Sequence, residues 1–128
     1  MRFFNQLRTL FSRQQLKPLS EWYFVDFDDA VIRLRVEPPG GKPWSAVVPW
    51  ESIIRVCFKA ENLEASDGIY LFTADRPQSC AVPTEARGGG ELWVEILRRE
   101  LFDAQLAIDA ATAASGVFCW PPAENAPE

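Results

Sequence analysis

The chain has no histidine. That removes the side chain whose unperturbed pKa lies nearest neutrality, and with it every Ser-His-Asp or Cys-His device. Cysteine is scarce too: Cys57, Cys80 and Cys119 are scattered, with no CxxC pair. A zinc site would need all three to converge, so no metal is expected. An odd, sparse count reads as reduced thiols rather than a disulfide framework. No stretch approaches the roughly 18 apolar residues of a spanning helix. The first residues lack the continuous apolar core and cleavage site of a secretory signal. A cytoplasmic protein is expected, with a membrane-peripheral one as the alternative.

Two motif-like features also fall short of chemistry. Gly88-Gly89-Gly90 precedes a helical pattern but lacks GxGxxG and a following Lys-Ser or Lys-Thr. Glu91 and Glu95 would repel a phosphate there, so a flexible joint or helix break is expected. Asp26, Asp28 and Asp29 crowd one turn without the glycine and terminal glutamate of a calcium loop, and read as turn formers. No cofactor, catalytic residue or small-molecule substrate is evident, and the chain reads as a non-enzyme.

Charge is divided unevenly. The net charge is −5, which argues against a general nucleic-acid binder. Residues 1–20 carry Arg2, Arg8, Arg13 and Lys17 with no acid, hence +4, and the remainder carries −9. Phe3, Phe4, Leu7, Leu10 and Phe11 recur at helical spacing in this arm. They predict an amphipathic helix over residues 2–16, ended before Pro18. It would dock on the body or lie at a membrane surface through Phe3, Phe4, Leu7 and Phe11, with the four basic side chains adding about 1 kcal/mol each near anionic lipid.

From residue 21 the period switches to two. Strands are expected at residues 22–25, 30–36, 44–48, 53–59, 69–73 and 78–82. Ile32, Leu34 and Val36 face one way and Val31, Arg33 and Arg35 the other, as in an antiparallel sheet with one wet face. Ile54, Val56 and Phe58 are the expected inward set of the fourth strand. A long helix is predicted over residues 91–114, with Trp93, Ile96, Leu97, Leu101, Ala104 and Ile108 on its core stripe. Leu92, Phe102 and Leu106 fall outside that stripe and would need a second cover, such as another copy of the chain. Gly116 ends the helix, and residues 121–128 read as a mobile tail.

Four local words occur in order: Phe27-Asp28-Asp29-Ala30-Val31, Val48-Pro49-Trp50-Glu51-Ser52-Ile53, Ile69-Tyr70-Leu71-Phe72 and Ala81-Val82-Pro83-Thr84-Glu85-Ala86. Their sequence resembles the bacterial pleckstrin-homology-like (PH-like) domains, especially the YcxB-like group, over roughly residues 22–110. The resemblance implies a mainly β fold with α elements: a bent six- to seven-stranded antiparallel barrel capped by a long C-terminal helix. Its members are mostly modules of uncertain biochemistry, often joined to a pair of membrane helices that this chain lacks. Eukaryotic relatives that bind phosphoinositides carry Lys and Arg at the first turn. Here that turn is acidic, so headgroup binding by the body is not expected.

The expected organisation is a basic amphipathic arm (1–20), a PH-like domain (21–115) and a C-terminal tail (116–128). The expected function is docking of a protein partner, or of a second copy, through an apolar groove, sheet edge or helix face. Trp44, Trp50, Trp93, Phe102 and Trp120 are the candidate interface residues, because large rings carry most binding energy at interfaces.

Overall fold

Period-two alternation builds the first sheet. The computed structural model describes residues 17–61 and 66–122. Within them β1 (Tyr23–Phe27), β2 (Val31–Val36) and β3 (Trp44–Pro49) pair antiparallel in the order β1-β2-β3. Ile32, Leu34 and Val36 are buried, while Arg33 and Arg35 point to solvent. Asp28 shapes the β1–β2 turn. Its Oδ1 accepts from the N–H groups of Ala30 (2.8 Å) and Val31 (2.9 Å), and Arg33 donates to its Oδ2 at 2.9 Å. The Val31 donor foremost, then Arg33 and the Ala30 N–H, hold this carboxyl down at about 2. The acidic turn is a structural device neutralised by the sheet's own arginine.

The second sheet contains β4 (Ile53–Ala60), β5 (Gly68–Thr73), β6 (Cys80–Pro83) and β7 (Gly116–Trp120), in the order β6-β5-β4-β7. Val56 and Phe58 face the core as expected, but Ile54 is exposed. The β4–β5 register shifts between Ile53 and Arg55, and that irregularity turns Ile54 outward and Ile53 toward the core. β7 is a strand where the sequence suggested a segment, residues 117–120, packing back on the body at the start of the C-terminal tail. It sets Cys119 opposite Cys57 of β4, and the two form a disulfide across a sequence separation of 62. This overturns the expectation of three reduced thiols; only Cys80 is free, and it is buried. Spacing gave no warning, because the pair is brought together by a strand contact between distant segments.

The expected long helix is two short ones, α1 (Gly89–Arg98) and α2 (Ala104–Thr112). Glu100 takes a positive φ of 61°, which stops α1. Asp103 then caps α2, its carboxylate accepting from the Leu106 N–H at 2.9 Å. The break rotates the apolar face. Leu92, Ile96 and Phe102 become the buried set, whereas Ile108, expected inside, is exposed. Phe102 packs edge-on to Trp93 at 5.0 Å, and Trp93 meets Phe58 at 4.8 Å. The second cover for Phe102 is therefore this chain's own core.

The flexible joint or helix break expected at residues 88–90 is instead the start of α1, tightly packed at Gly88 and Gly89 while Gly90 is exposed. Gly88 has φ of 89°, and a Cβ there would lie 2.1 Å from the carbonyl oxygen of Val25. The close approach lets Val25 N–H donate to the Arg87 carbonyl and Arg87 N–H to the Tyr23 carbonyl, each at 2.8 Å. The free side of β1 is thereby covered.

The sheets do not close into a barrel, which corrects the expected six- to seven-stranded barrel. After Pro49, which has no N–H to give, the chain makes a short 3-10 turn (Trp50–Ser52), and no ladder joins β3 to β4. Two open sheets of three and four strands share one core, with the two short helices packed against it. No helix among the described residues is long and apolar enough to cross a membrane.

Candidate functional site

Register places two rings and an aliphatic side chain at the open end of the core. Tyr23 pairs with Val36, and Val36 with Trp44, so one row crosses the whole first sheet. In β3 the alternation puts Trp44, Ala46 and Val48 on the core face. Burial rises along it, from Trp44 at 45% exposure to Val48 at 3%. Trp44 thus overhangs the end of the core rather than sitting within it. Its ring stands edge-on to Tyr23, with centroids 6.1 Å apart at 85°.

This row forms one wall of an apolar cleft of about 240 Å³, completed on the same side by Leu19 and Trp22. The opposite wall comes from the second sheet: Arg76 and Ser79 from the β5–β6 connection, then Cys80, Ala81 and Pro83 of β6. The Tyr23 hydroxyl donates to the Ala81 carbonyl at 2.5 Å and ties the walls together. Burial first, then the neighbouring Cys80, pushes the Tyr23 phenol well above its ordinary value, so it remains a neutral donor. Among the described residues Arg76 is the one charged side chain on the lining.

Beside the cleft lies a second resource. β3 pairs only with β2, so its other side offers unpaired backbone groups among the described residues. Val47, on the outer face of this edge, is 60% exposed. An open strand edge next to an apolar recess is the arrangement used to hold extended peptide segments.

The structure separates the five candidate rings. Trp44 lies on the cleft. Trp50 is buried, donates its indole N–H to the Asp28 carbonyl at 2.8 Å and lies under Arg99 at 3.9 Å. Phe102 is buried and Trp93 half-buried, both in the ring cluster beneath α1. Trp120 borders a smaller hollow of about 120 Å³ with Ile53, Leu101 and Pro121. Burial removes Trp50 and Phe102 from any surface contact. The membrane-facing set of Arg2, Phe3, Phe4, Leu7, Arg8, Phe11 and Arg13 lies outside the described residues, and Lys17 is exposed at their border.

Sequence reasoning missed Tyr23, Arg76 and the β6 wall as parts of the site. The only local signals were the aromatic pair Trp22-Tyr23 at a strand start and an Arg-Pro turn at Arg76-Pro77. Neither says that residues more than fifty positions apart meet. Among the described residues no group of three or more Cys, Asp or Glu side chains is arranged to hold a metal ion. No family model, no curated protein and no solved structure matches the chain.

Proposed function

We propose that this chain is a non-catalytic binding module. It takes an extended apolar segment of a protein partner alongside β3, with one large side chain of that segment in the Trp44 cleft. The observation that carries the reading is the juxtaposition of an open strand edge with an apolar recess at its Trp44 end. Main-chain hydrogen bonds along an edge supply affinity without sequence preference, and a pocket for a side chain supplies selection.

Volume favours a side chain over a whole ligand. The recess, about 240 Å³, exceeds the roughly 150 Å³ that accommodates benzene in an apolar cavity. It falls below the ~300–1,000 Å³ of sites that enclose a drug-sized molecule. Burying one Leu or Phe there contributes about 2 kcal/mol, and several edge hydrogen bonds add to it. The result is a modest, reversible interaction.

The test is NMR titration of the ¹⁵N-labelled chain with N-acetylated alternating Thr-Val pentapeptides ending in Leu, Phe or Trp. Shifts should centre on the β3 amides and the Trp44 indole N–H. Trp44→Ala should abolish them while leaving the fold intact, because nearly half of that side chain is already in water. Shifts centred on the Trp120 hollow, or none at all, would sink the reading.

A further inference from the structure

The direction of β3 and the isolation of one arginine say which part of a partner fits. β3 runs from Trp44 to Pro49, and the cleft lies at its Trp44 end. Every strand ladder among the described residues is antiparallel, the slightly stronger pairing per residue. A segment added antiparallel to β3 runs from the Pro49 end toward Trp44. Its C-terminal residue therefore arrives at the cleft.

Arg76 stands on that cleft. Each other arginine among the described residues has an acceptor. Arg33 donates to Asp26 and Asp28, Arg35 to Glu37, and Arg98 and Arg99 to Glu95. Arg55 and Arg87 donate to the backbone carbonyls of Pro121 and Ser20. Arg76 has none, and its chain neighbour Asp75 forms no ion pair with it. A guanidinium left free beside an otherwise apolar recess is complementary to a carboxylate carried next to a large apolar group.

We infer that the partner segment is a protein C-terminus. Its last side chain, large and apolar, fills the cleft, and its terminal carboxylate meets Arg76. This rests on the edge-and-cleft reading above and narrows it from any apolar segment to a free chain end. The strand direction brings the terminus to the right place, and the unpaired cation supplies the reason for it to stay.

The experiment compares the same acetylated pentapeptides as free acids and as C-terminal amides, on the native chain and on Arg76→Gln. Arg76 is exposed and unpartnered, so the substitution leaves the fold undisturbed. The free acid should bind at least about tenfold more tightly than the amide, as expected for loss of a charged hydrogen bond. Arg76→Gln should erase that difference and leave both forms at the amide's affinity. Equal binding of acid and amide to the native chain would overturn the inference and leave the edge reading standing. So would an amidated peptide with a penultimate Glu that binds as well as the acid, since an internal carboxylate would then suffice. Failure of every peptide would bring down the edge reading itself.

Discussion

The first sheet ends on β3, unpaired on one side and carrying exposed Trp44 and Val47. The second sheet ends on β7, which is fastened to β4 by the Cys57–Cys119 bond. Both are short outer strands whose outer sides pair with no strand among the described residues, yet only β7 is stapled to its inner neighbour. The far side of the first sheet is guarded as well, since Arg87 bonds along β1 and Gly88 allows that approach. β6, at the other end of the second sheet, pairs only with β5, and its Ala81 carbonyl accepts from the Tyr23 hydroxyl. β3 is the outer strand that carries exposed Trp44 and Val47, and such an edge is a place where pairing with another chain is tolerated. The contrast sets a stapled half against a half with an exposed edge, and the proposed function puts recognition at that edge.

Substitutions in the two regions should therefore behave oppositely. The largest effect is expected at Phe102, buried against Trp93 in the stapled half. Phe102→Ala should lower the free energy of unfolding by about 4 kcal/mol, read from urea denaturation. A loss below ~1 kcal/mol would mean that Phe102 is not a core residue. Reduction of Cys57–Cys119 comes next. A loop of 62 residues sets a chain-entropy limit of about 4 kcal/mol, and about 3 is the expected loss. Melting curves with and without a dithiol reductant measure it, and coincident curves would deny the bond a stabilising role. Trp44→Ala, at the open edge, should cost under ~1 kcal/mol of stability while removing peptide binding.

The smallest effect concerns pH. Asp28 and Glu95 are both held down at about 2, Asp28 chiefly by the Val31 N–H and Glu95 by Arg98. A depressed carboxyl contributes stability above its ordinary value, and that contribution fades as pH falls toward 2. Carboxyl ¹³C titration should place both midpoints more than one unit below an ordinary side-chain carboxylate. Because the loss falls between the ordinary carboxylate range and pH 2, little change in melting temperature should accompany the titration above pH 4.

The same division governs what could be read in the sequence. The first sheet was legible because its logic is local: Ile32, Leu34 and Val36 alternate with Arg33 and Arg35, and the register follows. The second half depends on events that alternation does not record. A register shift reverses Ile54, a positive φ at Glu100 splits the helix, and a late strand carries Cys119 to Cys57. Asp103 was the one readable clue to the split, as a poor helix former and good cap inside an otherwise apolar run. The cleft was illegible for a further reason. Tyr23, Trp44 and Arg76 belong to different elements, and only the packing of the two sheets brings them to one rim. That packing also corrected the expected barrel: the predicted strands formed, but β3 and β4 did not pair.

The most direct test of the open edge is hydrogen exchange of the backbone amides of β3, with and without a saturating acetylated pentapeptide ending in a free Phe carboxylate. The account predicts slowed exchange within residues 44–48, where N–H groups freed from water gain a strand partner, and unchanged rates in β7. Unchanged rates in β3 with the peptide bound would contradict it, because the segment would then be held somewhere other than the edge.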